Sequence, residues 1–209
     1  MIPVQYQPEP LSFDARVRVR GKKFLAEYAN SEPLSQYWRR ALPDLWTAYG
    51  GVCAYSCHWI PLDVGSASVD HFIPKSKVRS LAYEWDNFRL AAAKLNAIKG
   101  NYTDILDPFK IEKGWFALVF PGMLVIPGPS VTEEQQAPIQ RSIDRLKLNK
   151  DEVLVNSRLN WVLSYCEQQV SFEFLGRRAP FIAAEIERQN LKDTLAHMFL
   201  RKPTKGQLL

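Results

Sequence analysis

Three nearly contiguous stretches decide how this chain is read: SVDHFIPKS at 68–76, YEWDNFRL at 83–90 and AAAKLNAIKGN at 91–101. Residues 66–71 read as a strand, and 85–92 as a second strand running into a helix that ends at Gly100. Asp70 and His71 are neighbours at the end of the first strand. Their side chains point to opposite faces there unless the chain bends, and Pro74, three residues after His71, is consistent with a bend. A carboxylate beside an imidazole, with an amide side chain on the following helix, can assemble a metal ligand, a base and a second ligand around one phosphate. The same pair also fits a capping Asp next to a satisfied core histidine, and from the residues alone both readings stand.

Outward from this centre, residues 1–15 carry Pro3, Pro8 and Pro10 and read as an extended arm. Arg16, Arg18 and Arg20 alternate with Val17 and Val19, the period-2 pattern of a strand with one cationic face, either solvated or tracking phosphates. From 31 to 49, Leu34, Trp38, Leu42, Leu45, Trp46 and Tyr49 recur every three or four residues. This predicts an amphipathic helix, or two short ones divided near Pro43, stopped by Gly50 and Gly51. Residues 52–60 read as a short strand or turn, and 115–126 as a hairpin broken by Pro121 and Gly122. After Thr132, followed by Glu133, Glu134 and Gln135 as in a capped helix start, the pattern is helical to the last face at Ile182, Ile186, Leu195 and Phe199.

The 209 residues carry 27 Lys and Arg against 22 Asp and Glu, a net charge of +5. The excess is local, with +4 in residues 14–40 and +3 in residues 70–101, so it points to a polyanion partner for the first half of the chain. The apolar content supports a packed core and excludes disorder throughout. No apolar run approaches a membrane span and the N-terminus lacks the succession of a signal peptide, so a soluble cytoplasmic protein with no membrane contact is expected. Cys53, Cys57 and Cys166 are too few for a disulfide scaffold.

In order, spacing and flanking residues, the central stretch resembles the HNH nuclease family. The resemblance rests on Val69-Asp70-His71-Phe72-Ile73-Pro74-Lys75, on Trp85-Asp86-Asn87 sixteen residues after the histidine, and on Asn96 with Lys99-Gly100 beyond it. It implies a ββα-metal motif, two antiparallel strands and a helix clasping one divalent cation. The fold class expected is therefore α+β, with this motif at 51–101 inside a mostly helical domain. An arm, basic strand and helix at 1–50 precede it, and a hairpin plus helical lobe at 102–209 follows. By the same resemblance Asp70 binds the cation, His71 is the general base, Asn87 holds the loop and orients His71, and Asn96 supplies a second ligand from the helix. An oxygen-only inner shell suits Mg²⁺ or Mn²⁺ better than zinc. Lys75, Arg89, Lys94 and Lys99, with Arg16, Arg18 and Arg20, are candidates to contact nucleic-acid phosphates; ordinary surface charge is the alternative for each. Tyr83, Trp85 and Phe88 read as packing.

Many HNH proteins reinforce the motif with zinc on two Cys-x-x-Cys pairs. Here three residues separate Cys53 from Cys57, and Ala92 and Leu95 stand where the second pair belongs, so structural zinc is not expected even with His58 nearby. The segments LDPF at 106–109, 115–126 and RAPFIAAEIERQN at 178–190 are similar to bacterial stand-alone HNH proteins, several of which accompany an ATPase in phage-defence or retron-type systems. Arg177, Arg178 and Arg188 read as surface charge. The expected function is a metal-dependent endonuclease, with DNA ahead of RNA as substrate. The alternative is a catalytically silent nucleic-acid-binding or assembly subunit, and an ATPase partner is a third element to test.

Overall fold

The segment expected to be a basic strand is helical. In the computed structural model, which describes residues 1–29 and 33–200, Asp14–Arg18 form a π-helical turn that runs into an α-helix, Val19–Glu27 (α1). The alternation of Arg and Val concealed a second period: Phe13, Val17 and Gly21 recur every four residues and are all buried on one face. Gly21 lets this face close on the ring of Tyr83, since a Cβ there would lie 2.0 Å from Tyr83 Cγ. Burial of that stripe outweighs the strand propensity of two valines.

The expected helix at 31–49 is a 3₁₀ turn, Tyr37–Ala41, continued by Leu42–Ala48 (α2), with Pro43 in the first turn where a missing N–H costs nothing. Its residues 31 and 32 lie outside the described residues, as do 201–209 of the C-terminal lobe. Gly50 and Gly51 end α2 at φ +60° and +69°, and a Cβ on Gly51 would press within 2.7 Å of Trp59 Nε1. The chain then makes a turn closed by a bridge between Val52 and Trp59.

Ala67–His71 (β1) pairs antiparallel with Phe88–Ala92 (β2), with Val69 opposite Leu90 and Asp70 opposite Arg89. Ala93–Lys99 (α3) follows directly and packs on both strands. Gly100 in a positive-φ conformation ends it. Tyr83, Trp85 and Phe88 are buried, as packing residues should be.

The hairpin is Phe116–Val119 (β3) with Leu124–Pro127 (β4). Side chains engage backbone groups on both strands: Glu185 and Gln189 bond the Leu118 N–H and C=O at 2.7 and 2.8 Å, and Asn149 bonds both groups of Val125. Helices Glu133–Arg145 (α4), Glu152–Cys166 (α5), Phe172–Arg178 (α6), Pro180–Arg188 (α7) and Leu195–Phe199 (α8) complete an α+β chain. At the start of α4, Gln135 accepts the Thr132 N–H at 2.9 Å. The buried apolar residues form one cluster reaching from Met1 to Leu195. Among the described residues no helix is long and apolar enough to cross a membrane.

Gly21→Val should lower stability by about 1–3 kcal/mol, the usual cost of overpacking. Urea unfolding checks this, and a midpoint unchanged from wild type would mean that α1 does not close on Tyr83.

Candidate active site

β1 ends by carrying Asp70 and His71 to opposite sides of the strand, and the chain then bends back at Pro74. Asn87, buried at the entry to β2, holds that bend: its Oδ1 accepts the Ile73 N–H at 2.8 Å, and its Nδ2 donates to the carbonyls of Ile73 and Leu81 at 2.9 and 3.2 Å. All three bonds lie inside the protein, so Asn87 acts on the loop rather than on a ligand.

On one side His71 is buried edge-on against Trp38 and Phe88, at ring distances of 5.1 and 5.2 Å. Its Nε2 lies 2.9 Å from the carbonyl oxygen of Ala82. A carbonyl only accepts, so Nε2 carries the proton and Nδ1 keeps its lone pair. Burial, opposed by the Ala82 bond and aided by Lys75 and Lys99, lowers the His71 pKa to about 4.

Asp70 is 2% exposed on the other side. Tyr55 donates to its Oδ2 at 2.5 Å, and the Lys99 ammonium lies 3.0 Å from its Oδ1. Lys99, with no exposed surface, also donates to the His71 carbonyl at 2.8 Å. Burial pushes the Asp70 carboxyl above its ordinary pKa, against the pull of Lys99 and Tyr55. Burial and the adjacent carboxylate hold the Tyr55 phenol well above its own, so it stays a donor.

Asn96 on α3 joins the two sides. Its Nδ2 donates to Ser68 Oγ and the Val69 carbonyl, both at 3.1 Å, which leaves Oδ1 as the end with no protein donor among the described residues. Asp70, His71, Lys75 and Asn96 line one cavity of about 120 Å³. His71, Lys75 and Asn96 also line an adjoining groove of about 640 Å³ whose other bank includes Trp38, Arg39 and Leu42.

The oxygens of Asp70 and Asn96 fit a hard divalent cation in chemistry, since each carboxylate oxygen has two lone pairs and accepts one bond here. They are few, however. Among the described residues no group of three or more His, Cys, Asp or Glu side chains is placed to hold a metal, so phosphate or water oxygens would have to complete a shell. Cys53 and Cys57 are fully buried, and their sulfurs accept backbone N–H groups of Ala92 and Ile2 at 3.2 and 3.3 Å.

The basic residues divide. Lys75 lines both cavities and stands 5.1 Å from the Trp38 ring, and Arg20 is exposed on α1. Lys94 pairs with Asp151, and Arg16 with Asp44. Arg18 is engaged by Glu9, Asp14 and Glu84, which commits its charge within the fold. Arg89 is the clearest correction: only 3% exposed, it makes a two-pronged contact with Asp107, donates to the Asp86 and Phe88 carbonyls, and lies 3.5 Å over the Phe109 ring. Its neighbour in register is Asp70, and its guanidinium is committed to Asp107 and two backbone carbonyls rather than offered at the surface. Lys99 is corrected likewise, from a surface cation to the buried partner of Asp70. Of the C-terminal arginines, Arg178 lies 3.7 Å over Trp59 and Arg188 pairs with Glu185. Tyr55 and Trp38 are site residues the sequence reading missed. Tyr55 sits in an aperiodic turn with no spacing to betray it, whereas Asn96 and Lys99, three apart on one helix face, carried a usable signal.

No protein-family model matches this chain, and no curated protein matches it.

Two outcomes follow from this geometry. Asp107→Ala, which strands a buried guanidinium, should cost about 3–5 kcal/mol; a loss below about 1 kcal/mol in chemical denaturation would return Arg89 to the class of surface charges. His71 and the buried His58, the latter also lowered to about 4 chiefly by burial, are neutral when folded and titrate near 6.5 when unfolded. The unfolded chain therefore binds more protons between these values, and stability is lost as pH falls from 6.5 to 4, by roughly 3 kcal/mol per histidine. His58→Gln should flatten the fall in Tm over that range, and an unchanged slope would refute the assignment.

Proposed function

We propose that this chain is a metal-dependent endonuclease of the HNH type that hydrolyses phosphodiester bonds, with DNA as substrate ahead of RNA. The observation that carries the reading is His71: a neutral imidazole, its Nε2 committed to Ala82 and its Nδ1 without a partner among the described residues, lining the same cavity as Asp70 and Asn96. The ββα succession of β1, β2 and α3, pinned at Asn87, supports it further.

In this reading Asp70 and Asn96 would hold Mg²⁺ or Mn²⁺, which when bound supplies charge neutralisation at the phosphate and the leaving oxygen. His71 Nδ1 takes a proton from water as the water oxygen attacks phosphorus and the bond to the 3′ oxygen breaks. The Ala82 carbonyl fixes the tautomer and accepts partial charge as the ring becomes cationic. Trp38 and Phe88 fix the ring plane. Asn87 keeps the bend rigid, and Lys75 at the rim draws the phosphate in. The ATPase partner and the role in antiphage defence belong to the same proposal and are motivated by sequence resemblance alone.

A competing reading, a catalytically silent nucleic-acid-binding or assembly subunit, is favoured by one observation: both oxygens of Asp70 already accept bonds from Tyr55 and Lys99. One assay separates the two. Supercoiled plasmid, linear duplex, single-stranded DNA and RNA are incubated with Mg²⁺, Mn²⁺ or a chelator, with the chain alone and with any copurifying ATPase. Cation-dependent cleavage that falls about 10²–10⁴-fold in His71→Ala is expected. Binding without cleavage under every condition, or equal cleavage by His71→Ala, would sink the nuclease reading.

A further inference from the structure

Lys99 is the feature that the chemistry above leaves unused. It has no exposed surface, its Nζ is 3.0 Å from Asp70 Oδ1 and 2.8 Å from the His71 carbonyl, and its ammonium lies 5.8 Å from the Phe72 ring. The carboxylate offered to a cation is thus already neutralised by a lysine that cannot turn to water without leaving it. Among the described residues that line the cavity, the remaining charged side chain is Lys75, which is positive. Asn96 adds an oxygen but no charge. Tyr55 takes a lone pair on the other carboxylate oxygen. A dication approaching the free protein therefore meets one neutralised carboxylate, the uncharged amides of Asn96 and Asn101, the latter's oxygen already accepting from Ser76, and a neighbouring positive charge. At the effective dielectric of such sites, a unit charge a few ångströms away changes cation affinity by an order of magnitude or more. A hard cation of Mg²⁺ type ordinarily uses one or two carboxylates and completes its shell with substrate phosphate and water.

We propose that Lys99 sets the charge of this site so that the divalent cation is taken up together with a nucleic-acid phosphate, and is held only weakly by the protein alone. The phosphate supplies both the missing negative charge and the missing oxygen ligands. Free protein then stays largely unloaded at cation levels sufficient for the complex, which ties assembly of the cleavage site to the presence of substrate. This inference rests on the nuclease reading of Asp70, His71 and Asn96 and adds the coupling that Lys99 imposes.

The test is the affinity of the full chain for Mn²⁺, read from loss of the free-ion electron paramagnetic resonance signal. It is measured for wild type, Lys99→Met, Lys99→Gln and Lys99→Arg, with and without a short DNA duplex, on a His71→Ala background that prevents cleavage. Binding to DNA alone is subtracted, and circular dichroism confirms folding of each variant. Without DNA, Lys99→Met and Lys99→Gln should bind Mn²⁺ at least about tenfold more tightly than the unsubstituted protein, while Lys99→Arg, which keeps the charge, should not. DNA should raise the affinity of the Lys99 protein at least about tenfold and that of the neutral variants by less. Adding Asp70→Asn to Lys99→Met should abolish the gain, which locates the ion. Equal affinity in the lysine protein and folded neutral variants overturns the coupling but leaves the metal reading intact. No Mn²⁺ uptake in any arm, with DNA or without, overturns the metal reading and the coupling with it. Should both neutral variants fail to fold, the lysine protein decides the matter by itself, since affinity unchanged by DNA refutes the proposal.

Discussion

The ion pair between Lys99 and Asp70 is the constraint on which the candidate site depends. Each charge is removed from water, a loss of several kcal/mol per ion, and each is retained only because the other stands 3.0 Å away and further bonds come from Tyr55 and to the His71 carbonyl. Three pieces of chain meet in that contact: the turn carrying Tyr55, β1 carrying Asp70 and α3 carrying Lys99. Two paired strands and a helix of seven residues have too little apolar surface to stand alone. A polar contact that fails unless all its partners are present specifies their arrangement as apolar packing does not.

Around this contact the protein repeats the same economy. Asn87 ties the bend after β1 through backbone bonds, and Arg89 with Asp107 fastens β2 to the segment beyond α3. Cys53 receives the Ala92 N–H at the end of β2, so the turn between the cysteines is joined to the same strand. Trp38, from the 3₁₀ turn before α2, reaches the His71 ring from outside the unit. The small unit is thus held by polar ties inside and by aromatic cover from the N-terminal third of the chain. His71 inherits its orientation, and its lowered basicity, from that cover.

Much of this was legible in sequence, for identifiable reasons. The two strands and α3 follow from short apolar runs punctuated by Pro74 and Gly100, and the later helices from long apolar stripes with a capped start at Thr132. The helix over 14–27 is not legible locally, because alternating arginines and valines satisfy a period of two as well as the stripe of Phe13, Val17 and Gly21 satisfies a period of four. Choosing between them required the Tyr83 ring, more than sixty positions away. The basic residues are ambiguous in sequence for a related reason. Charge in a sequence carries no depth, and Arg89 and Lys99 read as surface cations until Asp107 and Asp70 appear beside them.

By itself the sequence determined which chemistry is present and in what order: a carboxylate and imidazole at a strand end, an amide before the next strand, and an amide and a lysine three apart on the helix after it. Those are matters of spacing, and local periodicity carries spacing well. Only the tertiary structure decided which of these groups meet, which are buried and which hydrogen bonds they have left to offer. His71 is a neutral imidazole because burial against Trp38 and Phe88 outweighs its bond to Ala82, and Asp70 is a neutralised carboxylate because Lys99 folds back onto it. Such properties arise from desolvation and from partners distant in sequence, and no local pattern encodes them.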